Sequence, residues 1–162
     1  DKIHMFDVDI PGDKAYRESN AYQAGQEAVI AQLPWGKVGL TICYDLRFPY
    51  LYRMLSKAGA TMLTVPSAFT YVTGKAHWHT LLKARAIENG AYVFAPAQVG
   101  EHKNGRKTYG HSLVIDPWGE VVCDGGDGVG VSIAEIDIEK VDEARNRIAS
   151  LTHDQKVVIK KT

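Results

Sequence analysis

Lys37-Val-Gly-Leu-Thr-Ile42 runs directly into Cys43-Tyr44-Asp45-Leu46-Arg47-Phe48-Pro49, and this junction decides how the chain is read. The first six residues are an apolar, β-branched run of strand length, and the heptapeptide after them carries proline where the first turn of a helix accepts it. Strand, sharp turn and helix follow in that order. Such a turn lifts a thiol above the end of a sheet. Beside helix N-terminal amides a thiol is biased toward thiolate, the form that attacks carbon. The plainer reading makes Cys43 a small apolar residue that finishes a core strand, and the heptapeptide by itself leaves both readings open.

Working outward, residues 27 to 33 alternate apolar and polar positions before Pro34-Trp35-Gly36 breaks the pattern, so a hairpin precedes the thiol. Downstream, Leu51, Met54, Leu55 and Ala58 fall at helical spacing and Gly59 stands where a helix stops. A short strand from Ala60 to Val65 then ends at Pro66, which makes the unit a parallel crossover. Open α/β sheets bind ligands at the C-terminal ends of their strands, so Ser67-Ala68-Phe69-Thr70 should share a rim with Cys43. A second helix is expected from about Gly74 to Glu88, with Leu81, Leu82, Ala84 and Ile87 as a partial stripe. A strand from Ala91 to Gln98 follows it. Tyr109 to Ile115 and Glu120 to Cys123 flank the turn Asp116-Pro-Trp-Gly119. Val129 to Ile136 reads as another strand, and a last helix starts after Asp137 with Val141, Ala144 and Ile148 on one face. The class is mixed α/β.

Composition narrows the function. The 162 residues carry 19 Lys+Arg against 19 Asp+Glu, so no net field recruits nucleic acid or an acidic membrane. With 45% hydrophobic residues and no linker or repeat, the chain reads as part of one globular domain. Its apolar stretches are strand-length and its start lacks the blocks of a signal peptide, which predicts a soluble, cytoplasmic protein. Cys43 and Cys123 lack zinc-site spacing and are too few for a disulfide scaffold. Both are expected to be reduced, with Cys123 packed in its strand.

Other motifs carry less. Gly125-Gly-Asp-Gly-Val-Gly130 neither follows a strand nor opens a helix as a phosphate cradle would, and reads as a hairpin turn. His77 and His79, two apart on a helix, point about 200° from each other and make a poor metal pair. Ser67 lacks a Gly-x-Ser-x-Gly setting and reads as a pocket-lining or turn residue. No metal, nucleotide or prosthetic cofactor is implied. If Cys43 does chemistry on an amide, the developing oxyanion needs a fixed cation and a backbone N–H, for which Lys2 and the amide of Tyr44 are candidates. The leaving amine needs a proton from a carboxyl group, and local sequence does not say which.

Taken together, Lys2-Ile-His4-Met-Phe6 and Gly39-Leu-Thr-Ile-Cys43-Tyr-Asp-Leu-Arg47-Phe-Pro49 resemble the lysine motif and the nucleophile elbow of the nitrilase, or carbon-nitrogen hydrolase, superfamily. Pro66-Ser-Ala-Phe-Thr70, Thr73-Gly-Lys-Ala-His-Trp78, Ala84-Arg-Ala-Ile-Glu-Asn89 and Tyr109-Gly-His-Ser112 are similar to the Nit branch that contains deaminated glutathione amidases. The ω-amidases, which act on α-ketoglutaramate, are a close neighbour. The resemblance implies a four-layer αββα sandwich, a Glu-Lys-Cys triad and an acyl-thioester intermediate. It makes Cys43 the nucleophile and Lys2 the cation on the oxyanion side, and Glu18 matches an accessory glutamate.

The general-base glutamate of the family precedes the lysine motif, so residues 1–162 are expected to be the C-terminal part of a single domain, complete as an amidase only with the preceding segment. Tyr44, Arg47, Ser67 and Thr70 are the expected substrate-binding residues. Arg47 forks a substrate carboxylate or, alternatively, pairs with Asp45 or another acid. The expected partners are a small carboxylated amide and further copies of the chain in a dimer or larger homo-oligomer, helix 48 to 58 resembling a family dimer-forming element, with neither nucleic acid nor membrane. A catalytically silent assembly module is the competing reading.

Overall fold

The structure is a computed structural model that describes residues 1–11, 15–103 and 105–161. Its centre is the hairpin and crossover of the Cys43 region. Strands β3 (Val29–Leu33) and β4 (Gly36–Leu40) pair antiparallel across a tight turn at Pro34-Trp35, with Leu33 opposite Gly36. Strand β5 (Met62–Thr64) adds parallel to β4, and β6 (Tyr92–Ala95) adds parallel to β5. Strands β9 (Leu113–Ile115) and β10 (Val121–Asp124) complete a six-stranded sheet of order β10-β9-β6-β5-β4-β3. Two small hairpins stand outside it, β1 (Asp7–Asp9) with β2 (Ala15–Arg17) and β7 (Val99–Glu101) with β8 (Lys107–Tyr109).

Alternation along the strands divides the interior. Leu63, Val93, Ala95, Leu113 and Ile115 face helices α1 (Pro49–Lys57) and α2 (Tyr71–Asn89), meeting Leu51, Leu55, Trp78, Leu82 and Ala86 in the main core. Met62 and Tyr92 face the other way, against Val38 and against Val141 of α3 (Glu139–Arg147). A period of two in the sheet thus feeds two clusters, and each fully buried Leu, Val or Ile contributes about 1.5–3 kcal/mol. Gly39 lets α1 lie close on β4, because a Cβ there would come within 3.1 Å of Leu55 Cβ. Gly90, at φ +50, closes α2 in the left-handed conformation that ends helices. The described residues thus form a six-stranded sheet with α1 and α2 on one face and α3 against side chains of the other. Among them no helix is long and apolar enough to cross a membrane.

Several sequence expectations need correction. On α1 the buried face is Leu51, Tyr52, Leu55 and Ser56, while Met54 is exposed. On α2 the face runs through Gly74, Trp78, Leu82, Arg85, Ala86 and Asn89, and Ile87 is exposed. On α3 Val141 and Ala144 are buried, but the helix ends at Arg147 and Ile148 is its extended, exposed C-cap, while Asp137 does accept the N–H of Glu139 as expected. Ridge direction and neighbours choose the face, and apolar spacing alone misjudged it by one position. Residues 129–136 form no strand, and Val129, Val131 and Ile133 are at least 90% exposed. The glycine stretch before them is therefore no hairpin turn. Alternation supplied a face there, but no described strand supplies a ladder partner.

Tyr52 gives the core a pH limit. Its ring is fully buried, and its hydroxyl lies 2.6 Å from Thr41 Oγ1, which itself donates to the Thr64 carbonyl at 2.7 Å. Burial pushes the phenol well above its ordinary range, and the Thr41 hydrogen bond only partly opposes this. A group raised on folding contributes stability that is intact below its unfolded value, here about pH 10, and lost as pH climbs toward the folded value. Urea unfolding of the wild type should therefore lose roughly 1.4 kcal/mol per pH unit above about pH 10 more than Tyr52→Phe does. Equal alkaline slopes would refute the account.

Candidate active site

Past β4 the backbone continues the parallel ladder. The N–H of Thr41 donates to the Thr64 carbonyl at 3.1 Å and that of Cys43 to the Pro66 carbonyl at 3.0 Å. Ile42 is extended, but Cys43 turns to φ +51, a left-handed conformation that costs a residue with a Cβ about 1–2 kcal/mol. A 3-10 turn over Cys43–Arg47 follows, and the α-helix begins only at Pro49. The expected sharp turn exists, with a 3-10 segment in place of an immediate α-helix.

Asp45 organises this turn. Its carboxylate is fully buried and accepts the N–H of Ile42 at 2.9 Å, the N–H of His4 at 2.9 Å and that of Ile3 at 3.4 Å. The His4 ring adds an Nδ1 contact at 2.7 Å, places Nε2 2.5 Å from the Tyr50 hydroxyl, and stacks on Phe48 with centroids 3.4 Å apart. One carboxylate thus fastens the N-terminal segment to the elbow, at least three donors replacing its lost hydration. From α2, buried Arg85 donates Nε and Nη2 to the Leu46 carbonyl at 3.0 and 2.8 Å.

Fastening residues 3 and 4 sets the position of Lys2. Its ammonium pairs with Glu18, and the same Glu18 oxygen accepts the N–H of Phe6 at 2.7 Å. Glu18 opens a short 3-10 turn after β2. Lys2, Glu18, Cys43, Tyr44 and Thr70 line one cavity of about 370 Å³, within the range of small-molecule sites. Cys43 is half-buried, and both cysteines are free thiols. Phe6, Tyr16, Thr73 and Arg106 complete much of the wall. None of the four was singled out from sequence as a site residue. Phe6 and Thr73 fall inside motifs already noticed, Tyr16 comes from β2 two residues before Glu18, and Arg106 arrives from a distant loop and donates to the Ala68 carbonyl, a placement no local pattern encodes.

Two expected residues are not among those lining the cavity. Ser67 is buried and donates its hydroxyl to the Val65 carbonyl at 3.0 Å. Arg47 is half-buried, lies over the Phe69 ring at 5.3 Å and approaches His77 Nδ1 at 3.3 Å. Asp45, one acid suggested as its partner, is engaged by His4 instead. Burial pulls the Arg47 guanidinium below its ordinary value, while Tyr44 and Cys43 act in the opposite direction. Phe69 and Thr70 do share the Cys43 rim, and the Thr70 hydroxyl caps α2 by accepting the N–H of Thr73 at 3.4 Å. A thiol, an ammonium and a carboxylate around one opening can attack a carbonyl, steady its oxygen and move protons.

Known proteins are similar to this chain along nearly its whole length. A deaminated glutathione amidase of Synechocystis sp. is 50% identical over 154 residues, which are 94% of this chain and 57% of that protein. One of Rattus norvegicus is 49% identical over 153 residues, 94% of this chain and 47% of its own. The chain spans about half the length of the curated relatives it matches. Among solved structures, the NitFhit protein of C. elegans superposes with a TM-score of 0.88 at 48% identity, covering 95% of this chain and 38% of that one. Saccharomyces cerevisiae Nit3, of branch 10 of the nitrilase superfamily, gives 0.82 at 34% identity over 95% of this chain and 52% of its own. The carbon-nitrogen hydrolase pattern itself matches residues 1–146, so the chain belongs to the carbon-nitrogen hydrolase family.

Proposed function

We propose that this chain supplies the nucleophile of an amidase that cleaves the carbon-nitrogen bond of a small carboxylated amide of the deaminated-glutathione type. The observation that carries the reading is the left-handed Cys43 opening onto the same cavity as the Lys2–Glu18 pair. Strain held at one residue beside a ligand-sized opening marks a functional position.

In this reading the Cys43 thiolate attacks the amide carbonyl carbon, forming the S–C bond and pushing the π electrons onto oxygen. The Lys2 ammonium and the Tyr44 N–H stabilise that oxyanion. The amine then leaves with a proton delivered by a carboxylic acid, and an acyl-thioester remains. Water, deprotonated by the same carboxylate, attacks the thioester carbon and expels the thiolate. Glu18 is assigned the accessory role, orienting Lys2. The general base is assigned to a glutamate outside these 162 residues, a choice supported by the greater length of the relatives. The chain is then the C-terminal part of a single domain.

Arg47 and Thr70 are proposed to recognise the substrate carboxylate, whereas the Ser67 hydroxyl is taken up by the Val65 carbonyl. For Arg47, which does not itself line the cavity, the basis is its stacking over Phe69, which does, and its place in the same 3-10 turn as Cys43. The working enzyme is proposed to be a cytoplasmic homo-oligomer, a reading supported by the exposed Tyr50 and Met54 on α1. Steady-state assays of the complete protein test the substrate. kcat/KM for the α-keto form of glutathione should exceed that for α-ketoglutaramate by about tenfold or more. The opposite ranking would overturn the substrate, and inertness toward both would overturn the amidase reading.

A further inference from the structure

Away from the cavity, three side chains from separate parts of the fold converge. His79 projects from α2, His111 lies between β8 and β9, and Asp124 ends β10. His79 Nε2 is 3.2 Å from Asp124 Oδ2, and His111 Nδ1 is 3.0 Å from each carboxylate oxygen. A donor atom of each residue lies within 4.8 Å of the other two. Donor atoms around a tetrahedral Zn2+, with metal bonds of about 2.0–2.2 Å, stand ~3.3 Å from one another. Two edges of the triangle already have about this length, and the third is no longer than 4.8 Å.

The ligands are also fixed in advance. His111 adopts φ +56, its N–H donates to the Gly126 carbonyl at 2.7 Å, and its own carbonyl accepts Trp78 Nε1 at 2.8 Å. Its ring stacks on Tyr109 with centroids 4.5 Å apart. Asp124 Oδ1 accepts the N–H of Gly126 at 2.8 Å, while Oδ2 is turned to His79. Burial disfavours the Asp124 charge, yet the Gly126 N–H and the two imidazoles together hold its carboxyl below the ordinary range. The three side chains are 26–35% exposed, so an ion has access and a further coordination position opens to water. His77, the neighbour first considered, turns instead to Arg47.

We propose that His79 Nε2, His111 Nδ1 and a carboxylate oxygen of Asp124 bind a divalent transition-metal ion, Zn2+ by chemistry and size, with water completing its shell. Two imidazoles and one carboxylate suit such a cation. Binding requires the coordinating nitrogen of each imidazole to be free of its proton. Each neutral ring then carries its single proton on the other nitrogen. The site would clamp α2 to the β9–β10 hairpin. Since the N-terminal end of α2 carries Thr70 and Thr73 into the cavity, the clamp steadies one cavity wall.

Titration of the chelator-stripped full chain with Zn2+, followed by calorimetry, and with Co2+, followed by visible absorption, tests this. One equivalent should bind, with the intense bands of low-coordinate Co2+ and a higher Tm in the presence of Zn2+. His79→Ala and Asp124→Asn should weaken binding by at least the about 10–100-fold that loss of an outer-shell partner costs, and His77→Ala should leave it unchanged. Circular dichroism confirms that each variant is folded, and His79→Gln serves if His79→Ala is not. Repetition in a Cys43→Ser background separates this site from the free thiol. Absence of saturable binding, equal binding in His79→Ala, or loss of binding in Cys43→Ser would each overturn the proposal.

Discussion

Cys43→Ala, made in the complete protein, is expected to abolish release of amine from keto-amide substrates, with a fall in kcat of about ten-thousand-fold to a million-fold. The size follows from covalent chemistry. Without sulfur there is no thioester, and the residual rate is only what positioning and the oxyanion site give to direct attack by water. Stability should change by less than about 1 kcal/mol, because alanine keeps a Cβ, inherits the same φ of +51 and loses only a half-buried sulfur. Substrate affinity measured with the inactive variant should persist. Turnover within about tenfold of wild type would remove the nucleophile from Cys43.

The second large effect concerns folding. Asp45→Ala leaves the N–H groups of Ile42, His4 and Ile3 and the His4 ring without their common acceptor. Hydrogen bonds to a charged group are worth about 1.5–3 kcal/mol each and unpaired buried donors are costly, so a loss of about 3–5 kcal/mol is expected in urea unfolding. Asp45→Asn, which keeps one acceptor oxygen, should fall between. Activity should drop further than stability explains under conditions where the variant is folded, because Lys2 is held only one residue before Ile3. A loss below about 1 kcal/mol would mean that the N-terminal segment is fixed by other contacts, the Phe48 stack first among them.

What could be read in the sequence followed from contacts that are local or periodic. The elbow was legible because strand, cysteine and Pro49 are contiguous. The parallel order of β4, β5 and β6 was legible because each connection contains a helix, and the hairpin before β4 because Pro34 and Gly36 mark its turn. Lys2 and Glu18 were found through motif resemblance, and the structure brings them together. Helix faces were read one position off at Met54 and Ile87 because spacing gives the period, while packing gives the phase, and Ile148 falls past the end of α3. Residues 129–136 looked like a strand because alternation records which side chains want cover and says nothing of whether a ladder partner is present. The His79, His111 and Asp124 trio joins positions 13 to 45 residues apart through the docking of α2 on β8 and β9, from which the His79 side chain reaches the end of β10. Arg106 reaches the cavity in the same long-range way.

The turn that bears Cys43 is tied from three directions: to the Pro66 carbonyl through its own amide, to residues 3 and 4 through Asp45, and to α2 through Arg85 and the Leu46 carbonyl. Such a mounting leaves the reactive atom little latitude. Engineering a new preference should therefore leave the elbow alone and vary the surrounding walls, at Phe6, Tyr16, Thr73 and Arg106, where side chains can be exchanged without unseating the sulfur.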